Sequence, residues 1–311
     1  MEHKYFKNKR VLITGITGFI GSRLAKKLDS LGASVFGISR SKSDKSIYKI
    51  NILNRTAIDK LFKKLGIQIC FHLAGKSIVE MGQSNPYDTF TVNTQGTLNV
   101  LECIRKYKSQ KIIIASTSHV YGNNKIPFLE EYTPKPSRPY ETSKAITDLI
   151  AQSYAETFNL PIYVPRFVNI YGPGDLNFTR LIPKTIKDVI LSRSPRMWGG
   201  KTQRSFLYID DAVDAYIKLA CQKGTNESNL IFNFGSPDII TVEDLIKKIV
   251  SVSGKKLPIK RVNKGRGLEI KSQYVSWEKA RKILGWYPKV SLDEGIKKTF
   301  LWYNDFLKTD D

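Results

Sequence analysis

Tyr140 and Lys144 stand four residues apart in Tyr140-Glu141-Thr142-Ser143-Lys144, directly after the proline-rich segment Pro134 to Pro139. If the chain turns helical after Pro139, that spacing puts the phenol and the ammonium on one face. A free tyrosine ionises near ~10, and a neighbouring ammonium favours the phenolate, each tenfold change being worth about 1.4 kcal/mol. A phenol tuned toward neutrality can take a proton from a hydroxyl, or return one, while a hydride leaves or arrives at the same carbon. Tyr and Lys at this spacing also occur on ordinary solvated helices. The surrounding elements must therefore supply a hydride carrier for the pair to be chemical.

The N-terminal segment is built to do so. Arg10 to Thr14 reads as a buried strand, and Gly15-Ile16-Thr17-Gly18-Phe19-Ile20-Gly21 as a glycine turn into a helix with Ile20, Leu24, Leu28 and Leu31 at helical spacing. Strand, glycine turn and helix present free backbone amides and a positive helix end to a pyrophosphate. The second strand, Ala33 to Ile38, ends in Ser39-Arg40-Ser41-Lys42. An acidic residue there would hold the ribose hydroxyls of NAD, whereas a basic one can pair with the extra phosphate of NADP, so Arg40 favours NADP(H) over NAD(H). Asn51 and Ile52 follow the third short strand, at a place for adenine.

Further strands are expected at Ile67 to Leu73, whose end Leu73-Ala74-Gly75 is small enough for close passage of a cofactor, and at Lys111 to Ala115. Between them Asp88 to Lys106 has a helical pattern that contains Asn93. The strand at Lys111 runs into Ser116-Thr117-Ser118-His119. In an open parallel sheet the strand ends carry the chemistry, so these hydroxyls should lie near Tyr140.

Composition sets the outer bounds. The chain of 311 residues is long enough for a main domain and a smaller partner. Its 41% hydrophobic and 25% charged residues are ordinary for a globular protein, so long disorder is not expected. The net charge of +22 is the outlier and would suit nucleic acid, an acidic membrane or anionic small substrates. Basic residues are spread along the chain, as on a solvated surface, with a denser run from Lys255 to Lys271. No stretch approaches the ~18 apolar residues of a membrane helix. The basic start and the run from Val11 to Gly21 imitate a leader peptide, but glycines and threonines interrupt the run. A cytoplasmic protein is expected. Cys70, Cys103 and Cys221 suit buried thiols of a reducing compartment, and His3, His72 and His119 lack metal-ligand spacing.

The glycine turn, the hydroxyl-rich strand end and the Tyr140/Lys144 pair, in this order, resemble the extended short-chain dehydrogenase/reductase superfamily. Over nearly its full length the chain resembles the nucleotide-sugar epimerases, dehydratases and 4-ketoreductases within it. Arg166 to Asp175 is similar to the segment of that group that carries nicotinamide and sugar contacts. Leu176 to Pro183 and Asp210 to Tyr216 are similar to the CDP-glucose 4,6-dehydratase branch.

The resemblance implies an α/β fold, a doubly wound parallel sheet of Rossmann type with a smaller C-terminal α/β substrate-binding domain. Residues 1–168 would form the cofactor domain and 169–311 mainly the substrate domain, with 205–235 returning to the first. It also implies a nucleotide-diphosphate sugar as substrate, no nucleic acid, and a homodimer through the helices around Asn93 to Tyr107 and Tyr140 to Phe158. Tyr140 would be the acid/base, Lys144 would lower its pKa and bind the nicotinamide ribose, and Thr117 would hydrogen-bond the reacting oxygen. The cofactor would lie along Gly15, Thr17, Gly18, Phe19, Ile20, Gly21, Ser39, Arg40, Asn51, Ile52, Leu73, Ala74, Gly75, Asn93, Ser116 and Phe167. Ser118, His119, Asn169, Asn177, Arg204 and Arg266 would face the substrate, the two arginines gripping its diphosphate.

The reaction depends on what happens between hydride steps at C4. Dehydratases of this group carry Asp, then Glu or Lys, after the catalytic hydroxyl residue, and here Ser118 and His119 stand in those places. Serine is a poor proton donor, so elimination is disfavoured, although His119 could replace a lost acid or base. Arg40 tips the balance to a 4-keto-sugar reductase that consumes NADPH; a 4-epimerase is the alternative. An RNA-binding protein on the same fold would suit the charge but would not need Tyr140, Lys144 and Thr117 together.

Overall fold

The computed structural model describes residues 2–198, 200–223, 230–262 and 272–308. Its main sheet is wholly parallel and runs in the order Ile231–Phe234, Ile162–Phe167, Lys111–Ile114, Ile69–His72, Arg10–Thr14, Ser34–Ser39, Ile47–Lys49, with the short Ser116–Thr117 also paired to Ile162–Phe167. The order reverses between Arg10–Thr14 and Ile69–His72, and ligands of open parallel sheets bind at that switch point, outside the carboxyl ends of the strands.

Alternation along the strands sorts the core into two layers. Val11, Ile13, Phe71, Ile113 and Tyr163 point to one face and pack with Leu24 and Leu28 of the helix Phe19–Ser30 and with the helix Ile209–Cys221. Leu12, Ile38, Cys70, Ile112, Ile114 and Val164 point to the other, where Ile58, Leu61 and Phe62, then Val100, Leu101 and Ile104, and then Ala151 and Ala155 cover them. Burial on both faces is why these strands read as continuous apolar runs.

The helix carrying Tyr140 and Lys144 spans Pro139–Phe158. Pro139 occupies its first turn, where a missing N–H costs nothing, and Asn159 ends it at φ 49° in the left-handed region. The helix expected from Asp88 to Lys106 is built differently. Asn85 caps Pro86–Phe90 by accepting from the Asp88 amide at 3.1 Å, a π-helical turn follows at Thr91–Gln95, and Gly96–Tyr107 completes the run. The π turn places the buried Asn93, whose Oδ1 accepts from the Lys76 amide at 2.7 Å and whose Nδ2 donates to Ser143 at 2.8 Å. Asn93 therefore ties the loop after Gly75 to the helix of Tyr140.

A smaller sheet of Ile239–Thr241, Gln203–Tyr208, Ser272–Gln273 and Asn169–Tyr171 stands beyond the strand ends. The helices Leu181–Ile190, Val242–Val252 and Leu292–Lys308 pack around it. Ile231–Phe234 then rejoins the main sheet beside Ile162–Phe167.

Candidate active site

A cleft of about 930 Å³ runs along the carboxyl ends of the main sheet and under the smaller one. Its floor is the glycine turn. Gly15 has φ +74°, and a Cβ there would come within 3.0 Å of the Ala74 amide nitrogen. At Gly21 a Cβ would sit 2.3 Å from the Gly15 carbonyl oxygen, so only glycine lets helix and turn close on each other. Gly18 opens the helix Phe19–Ser30, and the free amides of that helix start, with its dipole, suit a pyrophosphate.

Of the residues singled out from sequence, Gly15, Thr17, Gly18, Phe19, Ile20, Gly21, Ser39, Arg40, Asn51, Ile52, Leu73, Ala74, Gly75, Ser116 and Phe167 all line this cleft. So do Thr117, His119, Tyr140, Lys144, Asn169 and Arg204. Asn93 is not in the lining, being spent on the Lys76 and Ser143 contacts. Ser118 is 1% exposed and also outside the lining. Asn177 is turned into its own loop, where Oδ1 accepts from the Thr179 amide at 3.1 Å and hydroxyl at 2.7 Å. Arg266 lies outside the described residues.

Around Tyr140 the arrangement differs from the one spacing alone suggests. Lys144 shares its helix face, but its Nζ donates to the Ala115 carbonyl at 2.8 Å. A Cβ on Gly75 would lie 3.8 Å from that Nζ, so the ammonium sits between the strand end and the loop after Leu73. Burial pushes the Lys144 ammonium down to about 8, against the opposing pull of Asp148. The phenol of Tyr140 is raised, not lowered, because burial outweighs the Arg180 charge and a hydrogen bond from Thr117. The positive charge that opposes burial at the phenol is that of Arg180.

Arg180 is held at the cleft by Asp175, 3.1 Å from its Nη1, and Asp175 is only 3% exposed. Sequence reading passed over Arg180, and its signal was only its place in the Leu176 to Pro183 segment. Glu141 was also missed. It is fully buried beside Tyr140, accepts from the Ser137 amide at 3.1 Å and hydroxyl at 3.2 Å, and lies 3.6 Å from His119. His72 at the neighbouring strand end is structural, bracketed by Thr14 at 2.8 Å and Thr97 at 3.1 Å, and burial drives its imidazole down to about 3.

Toward the smaller sheet the cleft is lined by Arg204, Arg196, Lys184 and Gln273. Arg204, Arg196 and Lys184 offer donors for an anionic group. No cluster of His, Cys, Asp or Glu among the described residues could hold a metal ion, and no helix among them is long and apolar enough to cross a membrane.

A glycine turn at the switch point of a parallel sheet, with Tyr140 and the buried Lys144 on the helix beside the adjacent strand end, forms a site of the kind that holds a nicotinamide dinucleotide. The chain belongs to the NAD dependent epimerase/dehydratase family, whose model matches residues 11–235. It is 30% identical to UDP-glucuronate 4-epimerase of Thermodesulfobacterium geofontis, over 94% of this chain and 95% of that one. It is equally 30% identical to dTDP-D-glucose 4,6-dehydratase of Homo sapiens, over 96% and 90% of the two chains. Among solved structures it is similar to UDP-glucuronic acid 4-epimerase from Bacillus cereus in complex with UDP-glucuronic acid and NAD, at TM-score 0.87 and 25% identity over 96% and 99%.

These findings correct the cofactor expectation. The family is NAD-dependent and the solved relative holds NAD, so Arg40 does not mark NADP(H). The physical reason is visible at the strand end. Arg40 is exposed. Ser39 instead organises the turn, its Oγ lying 3.2 Å from the Thr17 hydroxyl and accepting from the Ser41 and Lys42 amides.

Proposed function

We propose that the chain is an NAD-dependent 4-epimerase acting on a nucleotide-diphosphate hexose. The observation that carries this reading is the one-oxygen acid/base set. Tyr140 and Thr117 both line the cleft, and the Thr117 hydroxyl helps hold the Tyr140 phenol down, which supports their addressing a single substrate oxygen. Ser118, which follows Thr117, offers a hydroxyl in place of a carboxyl and is buried outside the lining, which leaves a second departing hydroxyl without an acid there. The reductase reading rested on Arg40 and NADPH, and that support is gone. A redox-neutral interconversion needs no exchange of cofactor between turnovers.

When bound, NAD supplies the chemistry of taking a hydride from C4 and giving it back. Tyr140 takes the proton of the C4 hydroxyl and returns it, and Thr117 hydrogen-bonds the same oxygen. Arg180 holds the phenolate by its charge. Lys144, anchored on the Ala115 carbonyl, would hold the nicotinamide ribose. Arg204 and Arg196, which both line the cleft, grip the diphosphate.

The same reading assigns cofactor binding to residues 1–168 with the returning segment 205–235, and closure over the sugar to the remainder. The pairing of Ile231–Phe234 with Ile162–Phe167 supports that division. A homodimer through the helices Gly96–Tyr107 and Pro139–Phe158 belongs to it too, supported by Leu149 and Phe158, which are 57% and 45% exposed on the second helix.

The test is incubation with UDP-glucuronate, UDP-glucose and UDP-N-acetylglucosamine in the presence of NAD. Interconversion at C4 without net change in NADH is expected. Net consumption of NADH or NADPH on a 4-keto sugar, or loss of water from the product, would overturn the reading.

A further inference from the structure

Tyr216 brings a buried hydroxyl to the cleft that the rest of the protein does not use. It lies on the helix Ile209–Cys221, is fully buried and lines the cleft. Its phenolic oxygen has no hydrogen-bond partner among the described residues. A buried tyrosine hydroxyl ordinarily finds one, because an unpaired donor loses its hydration for nothing in return. Tyr121, in the same core layer, shows the usual outcome by donating to Asn233 Oδ1 at 2.7 Å.

The ring of Tyr216 is held from two strands. It is tilted against Phe167 with centroids 5.0 Å apart and stands edge-on to Phe71 at 6.1 Å. Phe167 ends the strand Ile162–Phe167, Phe71 is next to last in Ile69–His72, and Lys111–Ile114 runs between those strands. Tyr216 therefore sits under the carboxyl ends of three adjacent strands. Arg10–Thr14, which leads into the glycine turn, is the next strand on one side, and Thr117 is the register partner of Phe167 on the other. Tyr140 is within electrostatic reach of the hydroxyl.

On the proposed reading, the cofactor's pyrophosphate lies on the glycine turn and its nicotinamide end reaches Tyr140 and Lys144. That half of the dinucleotide must then cross the strand ends over Tyr216. Burial, reinforced by Tyr140, pushes the Tyr216 phenol up, so the hydroxyl keeps its proton and has a donor to offer. The nicotinamide ring carries a matching acceptor in its carboxamide oxygen.

We propose that Tyr216 is a binding residue for the nicotinamide ring, donating from its hydroxyl to the carboxamide oxygen and so fixing which face of the ring is turned to the sugar. The proposal rests on the epimerase reading for the presence of the nicotinamide cofactor. Epimerisation passes hydride to either face of one sugar carbon, so the ring has to keep one face toward the sugar through both transfers. Apolar surface alone does not set that orientation; a single placed polar group does.

Tyr216→Phe removes the hydroxyl and keeps the ring. Since the hydroxyl has no protein partner, the free variant should melt no lower than wild type. In calorimetric titration its NAD affinity should fall about tenfold, while ADP-ribose, which lacks the nicotinamide, should bind both proteins equally. Unchanged NAD affinity, or an equal loss for NAD and ADP-ribose, overturns the proposal. A lower melting temperature of the free variant overturns it as well, because the hydroxyl would then have a structural partner. No sugar enters these titrations, so a failure to interconvert any sugar at C4 sinks the epimerase reading and leaves this comparison decisive. A wild type that binds no NAD removes the cofactor reading and the role of Tyr216 together.

Discussion

Arg166 donates through Nε to Asp148 Oδ2 at 2.7 Å, with both side chains sealed from solvent. Arg166 sits in the strand Ile162–Phe167, opposite Ser116 in the register, and Asp148 lies one helical turn after Lys144. The pair therefore clamps the helix of Tyr140 and Lys144 to the strand end that presents Thr117. The guanidinium also lies 4.8 Å over the Tyr121 ring, which fixes its plane.

Removing one partner leaves the other charge buried and uncompensated. Asp148→Ala is expected to cost about 3–5 kcal/mol in urea denaturation. The double replacement Asp148→Leu with Arg166→Met should recover most of the loss, since neither charge then needs a partner. Equal destabilisation by the single and double variants would show that the pair is not what the site depends on.

Tyr140→Phe removes the phenolic oxygen and keeps the ring of a residue that is 8% exposed. NAD binding should be preserved, and C4 interconversion should fall by about 10²- to 10⁴-fold, the usual worth of a positioned acid/base. Fluorescence titration with NAD and a coupled sugar assay separate the two effects. Full turnover in this variant would remove Tyr140 from the mechanism.

Arg180 is the cation that lowers the Tyr140 phenol against burial. Taking it away raises that pKa further, so the phenolate form is reached only at higher pH. The pH profile of kcat for Arg180→Gln should shift its rising limb to the alkaline side relative to wild type. A profile that keeps its position while only KM changes would mean that Arg180 contacts substrate without tuning the phenol.

Lys144 gives a stability prediction with a definite sign. Its folded pKa of about 8 lies below the ordinary lysine value of 10.5, so between these two pH values the unfolded chain binds more protons at this site. Its contribution to stability must then rise with pH through that window, and below it the buried ammonium is a standing penalty. The buried thiols and phenols of Cys70 and Tyr163 are raised and act oppositely at alkaline pH. The difference between wild type and Lys144→Met isolates the lysine: the variant's advantage at pH 7 should shrink steadily as the pH is taken toward 10. A constant difference would show that Lys144 is not desolvated in the cofactor-free protein.

Gly21→Ala would set a methyl 2.3 Å from the Gly15 carbonyl oxygen, a backbone atom that cannot rotate away. Forcing the helix off the turn should cost about 1–3 kcal/mol and abolish NAD binding, both measurable by thermal shift with and without NAD. Retained NAD stabilisation would show that the turn can open without losing its function.

The strand, glycine turn and helix from Arg10 to Ser30 were legible from sequence, as were the hydroxyl-rich strand end and the shared face of Tyr140 and Lys144. Each depends on a few consecutive residues whose periodicity and backbone freedom are written locally. The helix after Pro86 was legible in its apolar spacing but not in its π turn, because the bonds of Asn93 to Lys76 and Ser143 that accompany that turn are tertiary.

The sequence by itself thus determined a parallel α/β protein with a glycine turn at its first strand end and a tyrosine and a lysine on one helix face. Tertiary structure decided which charges that tyrosine meets. It sends Lys144 to the Ala115 carbonyl, brings Arg180 within electrostatic reach of the phenol, sets Glu141 behind His119, and turns Ser118 and Asn177 away from the cleft. Spacing could not supply this, since electrostatic and hydrogen-bond energies depend on ångström distances and burial between segments that only the packed sheet brings together.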